Sequence, residues 1–239
     1  MKIRPLPEID LARIAPLPTQ QKRLELERLK MSKPPFSYRP LRRSLSDILN
    51  LRGSLLEASE RVPWSTLKEV IVRTAINERE RQANLSVAEG LYRYAEACGM
   101  TGRSHDFFPL ALGVERKVSY WHPAILNLDG RPLVPFFDPR QSYQLGEEAR
   151  RFAFSVMHER IRAADPDFAN VSLGIFQFRA SQNEGLRVPA LHTDDGVSLF
   201  GFDDLDAMVR ETYELWIEIS EERVATARRA AGGSSGGLF

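Results

Sequence analysis

The sequence predicts an α+β fold: an N-terminal arm and helical bundle, followed by a small β-sheet flanked by two long helices. Apolar residues recur at helical spacing through most of the first hundred positions, and the period shortens toward alternation from Leu112 onward. Asp129-Gly130, set between two apolar runs, marks a tight hairpin in the second half. The chain has 239 residues, 43% hydrophobic and 27% charged, enough for one cooperative unit with a sizeable core.

Residues 1–40 read as a proline-rich basic arm, with Pro5, Pro7, Pro16, Pro18, Pro34, Pro35 and Pro40. Proline fixes φ and biases the residue before it away from helix, so Pro16–Pro18 and Pro34–Pro35 are expected to be extended connectors. Between them Thr19 is placed to cap a short helix over about residues 20–31, with Leu24, Leu26 and Leu29 as apolar positions. The arm is expected to lie across the protein's own body or a partner. A single domain over 41–231 follows, its helical part at 41–99. Leu41, Leu45, Ile48, Leu49 and Leu51 form the first helical stripe. Pro63-Trp64-Ser65 opens a second helix carrying Leu67, Val70, Ile71 and Ala75. Asn84-Leu85-Ser86 starts a third, which Gly99 closes.

The sheet-containing part spans 112–229, and residues 100–111 do not read as a linker. Within Leu112–Trp121, Val114, Val118 and Tyr120 alternate as in a strand, and Ala124–Leu128 and Leu133–Phe137 are the arms of the hairpin. Gly146–Ala163 reads as a helix striped by Ala149, Phe152, Ala153, Val156, Met157 and Ile161. Val171–Phe178 and Val188–Leu191 read as strands, and Asp203 is placed to cap a long helix to about Arg229. The closing GGSSGGLF, residues 232–239, is a flexible tail by composition.

Net charge is +1, from 33 Lys and Arg against 32 Asp and Glu, so the whole chain has no electrostatic signature for nucleic acid or membrane. The distribution is uneven. Residues 1–52 hold 12 Lys and Arg against 5 Asp and Glu, whereas residues 203–222 hold 8 Asp and Glu against one Arg. Arg39, Arg42 and Arg43 are expected on a solvated helix start or paired with the acidic final helix. As a phosphate-binding patch they would make the protein a nucleic-acid-binding regulator. Cys98 is the lone cysteine, which excludes an intrachain disulfide and a cysteine metal cluster and fits a reducing compartment. No apolar run approaches the roughly 18 residues of a membrane helix, and the N-terminus lacks a signal peptide's apolar core. A soluble cytoplasmic protein is expected.

Few residues point to catalysis. From the third helix the elements run α-β-β-β-α-β, which resembles the core of PD-(D/E)XK nucleases, and Asp138-Pro139-Arg140 falls at the strand end where that family has its (D/E)xK. The resemblance implies a divalent metal held by Asp129, Asp138 and Glu147 or Glu148. Arg140 stands where a lysine is required and cannot deprotonate, and Asp129 has a sufficient reason to occupy a hairpin turn. His158-Glu159 lies on a helix without the second histidine of a zinc protease, and His105, His122 and His192 are scattered. Cys98, at a helix end, is expected as a small buried residue.

Two short peptides carry more. Gly196-Val197-Ser198-Leu199-Phe200 looks like the bacterial sliding-clamp-binding pentapeptide Gln-Leu-(Ser/Asp)-Leu-Phe, with Gly196 where the glutamine belongs. Such a peptide binds by anchors: adjacent Leu and Phe side chains fill an apolar groove while the extended backbone hydrogen-bonds. Leu199-Phe200 would equally suit the end of a core strand. Gln21, Leu24 and Leu26 resemble a six-residue variant of the same peptide, although their segment reads as helix. Between Pro5 and Arg223, the strings SYRPLRRSLSDILN, LDGRPLVPFFDPRQSYQL, RRFAFSVMHERIRAADPDF and DDGVSLFGFDDLDAMVRETYELW resemble an alphaproteobacterial family, the SocB-type replication-inhibitor toxins. That resemblance implies the toxin of a toxin–antitoxin system, one that binds the DNA polymerase sliding clamp without catalysis or cofactor. It also implies an antitoxin adaptor that delivers the toxin to the protease ClpXP. It assigns the clamp contact to Gly196, Val197, Ser198, Leu199 and Phe200, with Gln21, Leu24 and Leu26 second.

Overall fold

The computed structural model describes residues 5–29, 36–52, 60–113, 116–181 and 185–232, with side chains to 229. Pro34–Pro35, Val114 and residues 233–239 of the expected tail lie outside the described residues. In chain order the elements are α1 (Glu8–Ile14), α2 (Thr19–Arg28), α3 (Arg39–Ile48), β1 (Leu51–Arg52), α4 (Trp64–Thr74), α5 (Glu78–Ala97), β2 (Thr101–Ser104), β3 (Leu110–Leu112), β4 (Arg116–Val118), β5 (Ala124–Leu128), β6 (Arg131–Asp138), α6 (Glu147–Met157), β7 (Ser172–Ala180), β8 (Arg187–Thr193) and α7 (Phe202–Gly232). The fold is α+β, with helices on both faces of a mixed sheet.

The sheet is built outward from the hairpin. β5 and β6 pair antiparallel around Asp129 and Gly130, whose φ values of 51° and 78° give the turn whose twist matches the strands. β2 lies antiparallel to β5, with β1 parallel beyond it; on the other side β7 runs parallel to β6, and β8 closes the edge antiparallel to β7. A parallel step needs a crossover, which α6 and the π-helical turn His158–Arg162 supply. The single strand expected over Leu112–Trp121 is instead β4, paired with β3 in a separate two-stranded sheet.

Alternation along the strands sends side chains to two cores on opposite faces. Ile125, Val134, Leu173 and Ile175 point to one, where α1, α6 and α7 contribute Leu11, Ile14, Phe152, Val156, Leu205, Val209 and Trp216. Ala124, Leu126, Leu133, Phe176 and Phe178 point to the other, closed by Leu41, Leu45, Ile48, Leu67, Ile71, Val87 and Leu91 of α3, α4 and α5. On that face α5 crosses the edge strand at Gly90. A Cβ there would lie 1.9 Å from the Arg187 carbonyl oxygen, so the crossing requires glycine.

Several helix boundaries differ from expectation. α5 begins at Glu78, capped by Asn77, whose side chain accepts from the Glu80 amide at 2.8 Å. Asn84, expected at its start, is wholly buried inside it, accepting from the Leu41 amide at 2.9 Å and donating to the Ser37 carbonyl at 2.8 Å. It ties α3 to α5. Gly99 does end α5: the Met100 amide donates to the Ala95 carbonyl at 2.8 Å, the bond that a left-handed residue after the last turn makes possible. α7 is capped by Gly201, whose carbonyl takes the Leu205 amide at 3.1 Å, and Asp203 is an exposed residue of the first turn.

Between residues 5 and 29, α2 falls where the short helix was expected, α1 is a further helix before it, and Pro16 lies in a turn and not in an extended connector. Pro7 and Pro18 stand just before α1 and α2 with φ near −60°, so these prolines bound helices that fit between them. Thr19 is the first residue of α2, not its cap, and its hydroxyl donates to Glu211 of α7. Leu6, Ile9, Leu11, Ala12, Ile14, Ala15 and Leu26 join the first core, so the segment lies on the protein's own body. Here the opposite local charges meet. Lys22, only 2% exposed, pairs with Glu211, and Arg23 reaches Glu222 at 2.6 Å and Glu218 at 3.3 Å. Arg39, Arg42 and Arg43 are exposed on α3, which packs on the far face of the sheet from that acidic helix. No helix among the described residues is long and apolar enough to cross a membrane.

Candidate functional site

Gly196–Phe200 lies on irregular backbone between the edge strand β8 and α7. Its entry is a turn in which the Val197 amide donates to the Asp194 carbonyl at 3.0 Å, with Gly196 at φ 73°. Asp194 is fixed in turn: its carboxylate accepts from Arg162 through two bonds, at 2.5 and 3.1 Å, and from the Leu173 amide at 3.3 Å. Bidentate charged pairs of this kind hold direction as well as position. Arg162 belongs to the π-helical turn that ends the crossover, and its Nε donates to the Val171 carbonyl at 2.7 Å.

From that anchor the loop runs back along α6. Arg151 donates through Nε to the Ser198 carbonyl at 2.5 Å, and its guanidinium lies 3.7 Å from the centroid of the Phe200 ring. Ser155 Oγ accepts from the Phe200 amide at 2.9 Å and donates to the Arg151 carbonyl at 2.7 Å. Arg151 and Ser155 stand four residues apart on one helix face, which is why both reach the same stretch of loop. Gly196 and Ser198 are exposed, whereas Val197, Leu199 and Phe200 are half-buried and pack on the first core. The peptide is therefore neither the end of a core strand nor a free segment.

Gln21, Leu24 and Leu26 are arranged differently. Gln21 is exposed and Leu24 is 48% exposed on the outer side of α2, while Leu26 is wholly buried against the core. A helix cannot offer all three to one groove.

The carboxylates of the nuclease reading are not brought together. The first strand of the expected order, Leu112–Trp121, falls in the separate two-stranded sheet, and β2 takes its place between α5 and β5 in the main sheet. Asp129, however, is exposed in the hairpin turn and Asp138 is buried at the opposite end of β6, about 25 Å of strand away. Asp138 is fully committed locally, accepting from the amides of Leu145 at 3.0 Å and Arg140 at 3.3 Å and from Gln177 at 3.4 Å. Burial raises its pKa above the ordinary carboxylate value, outweighing these donors. Arg140 turns away to Asp10 of α1, at 2.6 and 3.2 Å, and Glu147 and Glu148 are exposed on the first turn of α6. Among the described residues no three His, Cys, Asp or Glu side chains form a group able to hold a metal.

Two of the histidines pack against aromatic rings. His105 lies tilted against Phe107 and Phe168, with ring centroids 4.5 and 4.9 Å away; His122 meets Phe137 edge-on, and burial pushes its pKa down to about 4. Burial first, then Arg150 and Arg179, lowers His192 as well. Cys98 is half-buried at the C-cap of α5. Sequence reading missed Arg151, Ser155, Arg162 and Asp194. The side-chain contacts Arg162–Asp194, Ser155–Phe200 and Arg151–Ser198 span 32 to 47 residues, and the local signal is the shared helix face of Arg151 and Ser155.

A protein-family model described as the sliding clamp-binding bacterial toxin SocB matches residues 9–226. The chain belongs to the SocB family. A curated SocB relative, the DNA replication inhibitor toxin SocB of Caulobacter vibrioides (strain NA1000 / CB15N), is 39% identical over 235 residues, 98% of each chain. No solved structure matches. The span matched to SocB begins in α1 and ends in α7, so it takes in both cores, the α2–α7 charge seam and the loop along α6.

Proposed function

We propose that this SocB-family protein is the toxin of a toxin–antitoxin system that inhibits DNA replication by binding the sliding clamp of DNA polymerase III, acting by occupancy and not by catalysis. The observation that carries the reading is the match of residues 9–226 to a family described as sliding clamp-binding toxins. The contact is the loop Gly196–Phe200. Leu199 and Phe200 are the apolar anchors, and Val197 and Ser198 set an extended approach to the groove. This choice over Gln21–Leu26 is supported by irregular backbone and a surface position, whereas the other peptide would have to unwind α2 and empty the place of Leu26. Gly196 in the glutamine position removes one polar anchor, so affinity is below that of a peptide with glutamine there. The antitoxin adaptor and ClpXP are the further partners the family resemblance supports, and the cytoplasm is where such a clamp works.

The test is calorimetric titration of the purified protein into the cognate clamp, with a known clamp-binding peptide as competitor. Saturable binding displaced by the peptide and lost in Leu199→Ala/Phe200→Ala is the expected result. Absence of binding at high concentration overturns the function. Binding that survives the double substitution moves the contact away from this loop.

A further inference from the structure

We propose that the anchor peptide is stowed in the free protein, and that α6 must release it before the clamp can take Leu199 and Phe200. This rests on the assignment of the clamp contact to Gly196–Phe200. A groove that captures an extended peptide needs the apolar anchors and the backbone groups beside them. Both are already engaged. The Ser198 carbonyl is taken by Arg151 and the Phe200 amide by Ser155, at 2.5 and 2.9 Å, while the Phe200 ring lies beneath the Arg151 guanidinium and the half-buried Leu199 and Phe200 pack on the body of the protein. The same atoms cannot serve the helix and a partner at once, so clasped and clamp-bound arrangements exclude each other.

The loop is built to open over a short stretch. Its entry is pinned by Asp194 in the grip of Arg162, and its exit is the start of α7. Gly196 and Gly201 flank residues 197–200, and a Cβ placed on either would meet nothing within 4 Å, so neither glycine is wedged against neighbouring atoms. Opening 197–200 gives up the packing of Val197, Leu199 and Phe200 on the first core, but none of the three is among its buried members, and the seam between α2 and α7 is made by other residues. When the binding-competent form is a small fraction of the population, apparent affinity falls by that fraction. Arg151 makes two of the three contacts that tie residues 198–200 to α6, so removing it raises the open fraction by about threefold to tenfold.

Two variants test this, Arg151→Met, which keeps the stem and drops the guanidinium, and Ser155→Ala. Each is read by clamp affinity and by hydrogen exchange of the 197–200 amides in the free protein. Arg151→Met is expected to speed exchange of the Phe200 amide and to tighten clamp binding threefold to tenfold, and Ser155→Ala to act in the same direction by less. Faster exchange with unchanged or weaker clamp affinity overturns the proposal, as does exchange that neither variant alters. If Arg151→Met fails to fold, Ser155→Ala decides alone. Failure of the underlying contact is distinguished by the wild-type background: clamp binding that persists in Leu199→Ala/Phe200→Ala removes the contact itself, whatever Arg151 does.

Discussion

Two peptides with the same kinds of residue, Gln21–Leu26 and Gly196–Phe200, are used in opposite ways. The first belongs to α2, whose inner side is committed to the core through Leu26 and to α7 through the buried Lys22–Glu211 pair. The second is laid on the surface of α6 and held there by one arginine and one serine. One is built into the fold; the other is attached to it. The difference teaches that a short motif is judged by what else its anchors hold together. Leu26 cannot leave without opening a cavity, whereas Leu199 and Phe200 can leave at the cost of a half-buried contact.

The comparison is most exposed at Leu26. Leu26→Ala is expected to lower unfolding free energy by about 3 kcal/mol in a denaturant titration, because a wholly buried leucine leaves a cavity. Clamp affinity of the folded protein should not change; a loss below about 1 kcal/mol would mean α2 is only loosely attached. Next in size is Leu199→Ala with Phe200→Ala. Half-burial sets the expected stability loss near 2 kcal/mol, with a cooperative transition retained and clamp binding abolished. Global unfolding of that variant would return the loop to the core and erase the distinction.

Smaller effects sharpen the α2 side. Glu211→Gln leaves the Lys22 ammonium buried without its counter-charge, for an expected loss of about 1 kcal/mol, and Lys22→Met on the same background should recover most of it. The smallest effect is in acid. Hydrogen bonds from Lys22 and Thr19 hold the Glu211 carboxyl below the ordinary glutamate range. A depressed carboxyl contributes stability above its unfolded value and loses it as pH falls through the folded one, so the seam weakens only in acid. Hydrogen exchange along α2 should then rise on acidification, and Glu211→Gln should lessen that rise, the Arg23 pairs with Glu218 and Glu222 remaining. The Ser155–Phe200 bond involves no carboxyl and should not share it.

Much of the fold was legible because its signals are local. Asp129-Gly130 announced the hairpin, the stripe from Ala149 to Met157 announced α6, and Gly99 marked where α5 stops. Asn84 misled because asparagine favours caps, and here the buried amide is used to join α3 to α5. The prolines of the first 18 residues suggested an arm, since the sequence shows where a helix cannot continue but not that Ile9, Leu11 and Ile14 have a core to enter. At the candidate site the peptide itself was readable. Its attachment was not, because Arg151 meets Ser198, and Arg162 meets Asp194, only after β7 and β8 have turned the chain back.

The docking of α1 against α6 and α7 has a consequence for synthesis. The apolar side of α1 leaves the ribosome long before the surfaces it packs against, around Phe152 and between Leu205 and Trp216. At ordinary elongation rates those surfaces follow α1 by roughly ten to forty seconds. Throughout that interval Ile9, Leu11 and Ile14 have no native partner, while the opposite core, which needs α3 to α5 and the strands through β7, can close sooner. A nascent chain halted before residue 205 would lack the α7 half of the first core. Between making α1 and making α7 the apolar side of α1 lacks its native cover, the kind of surface that chaperones shield.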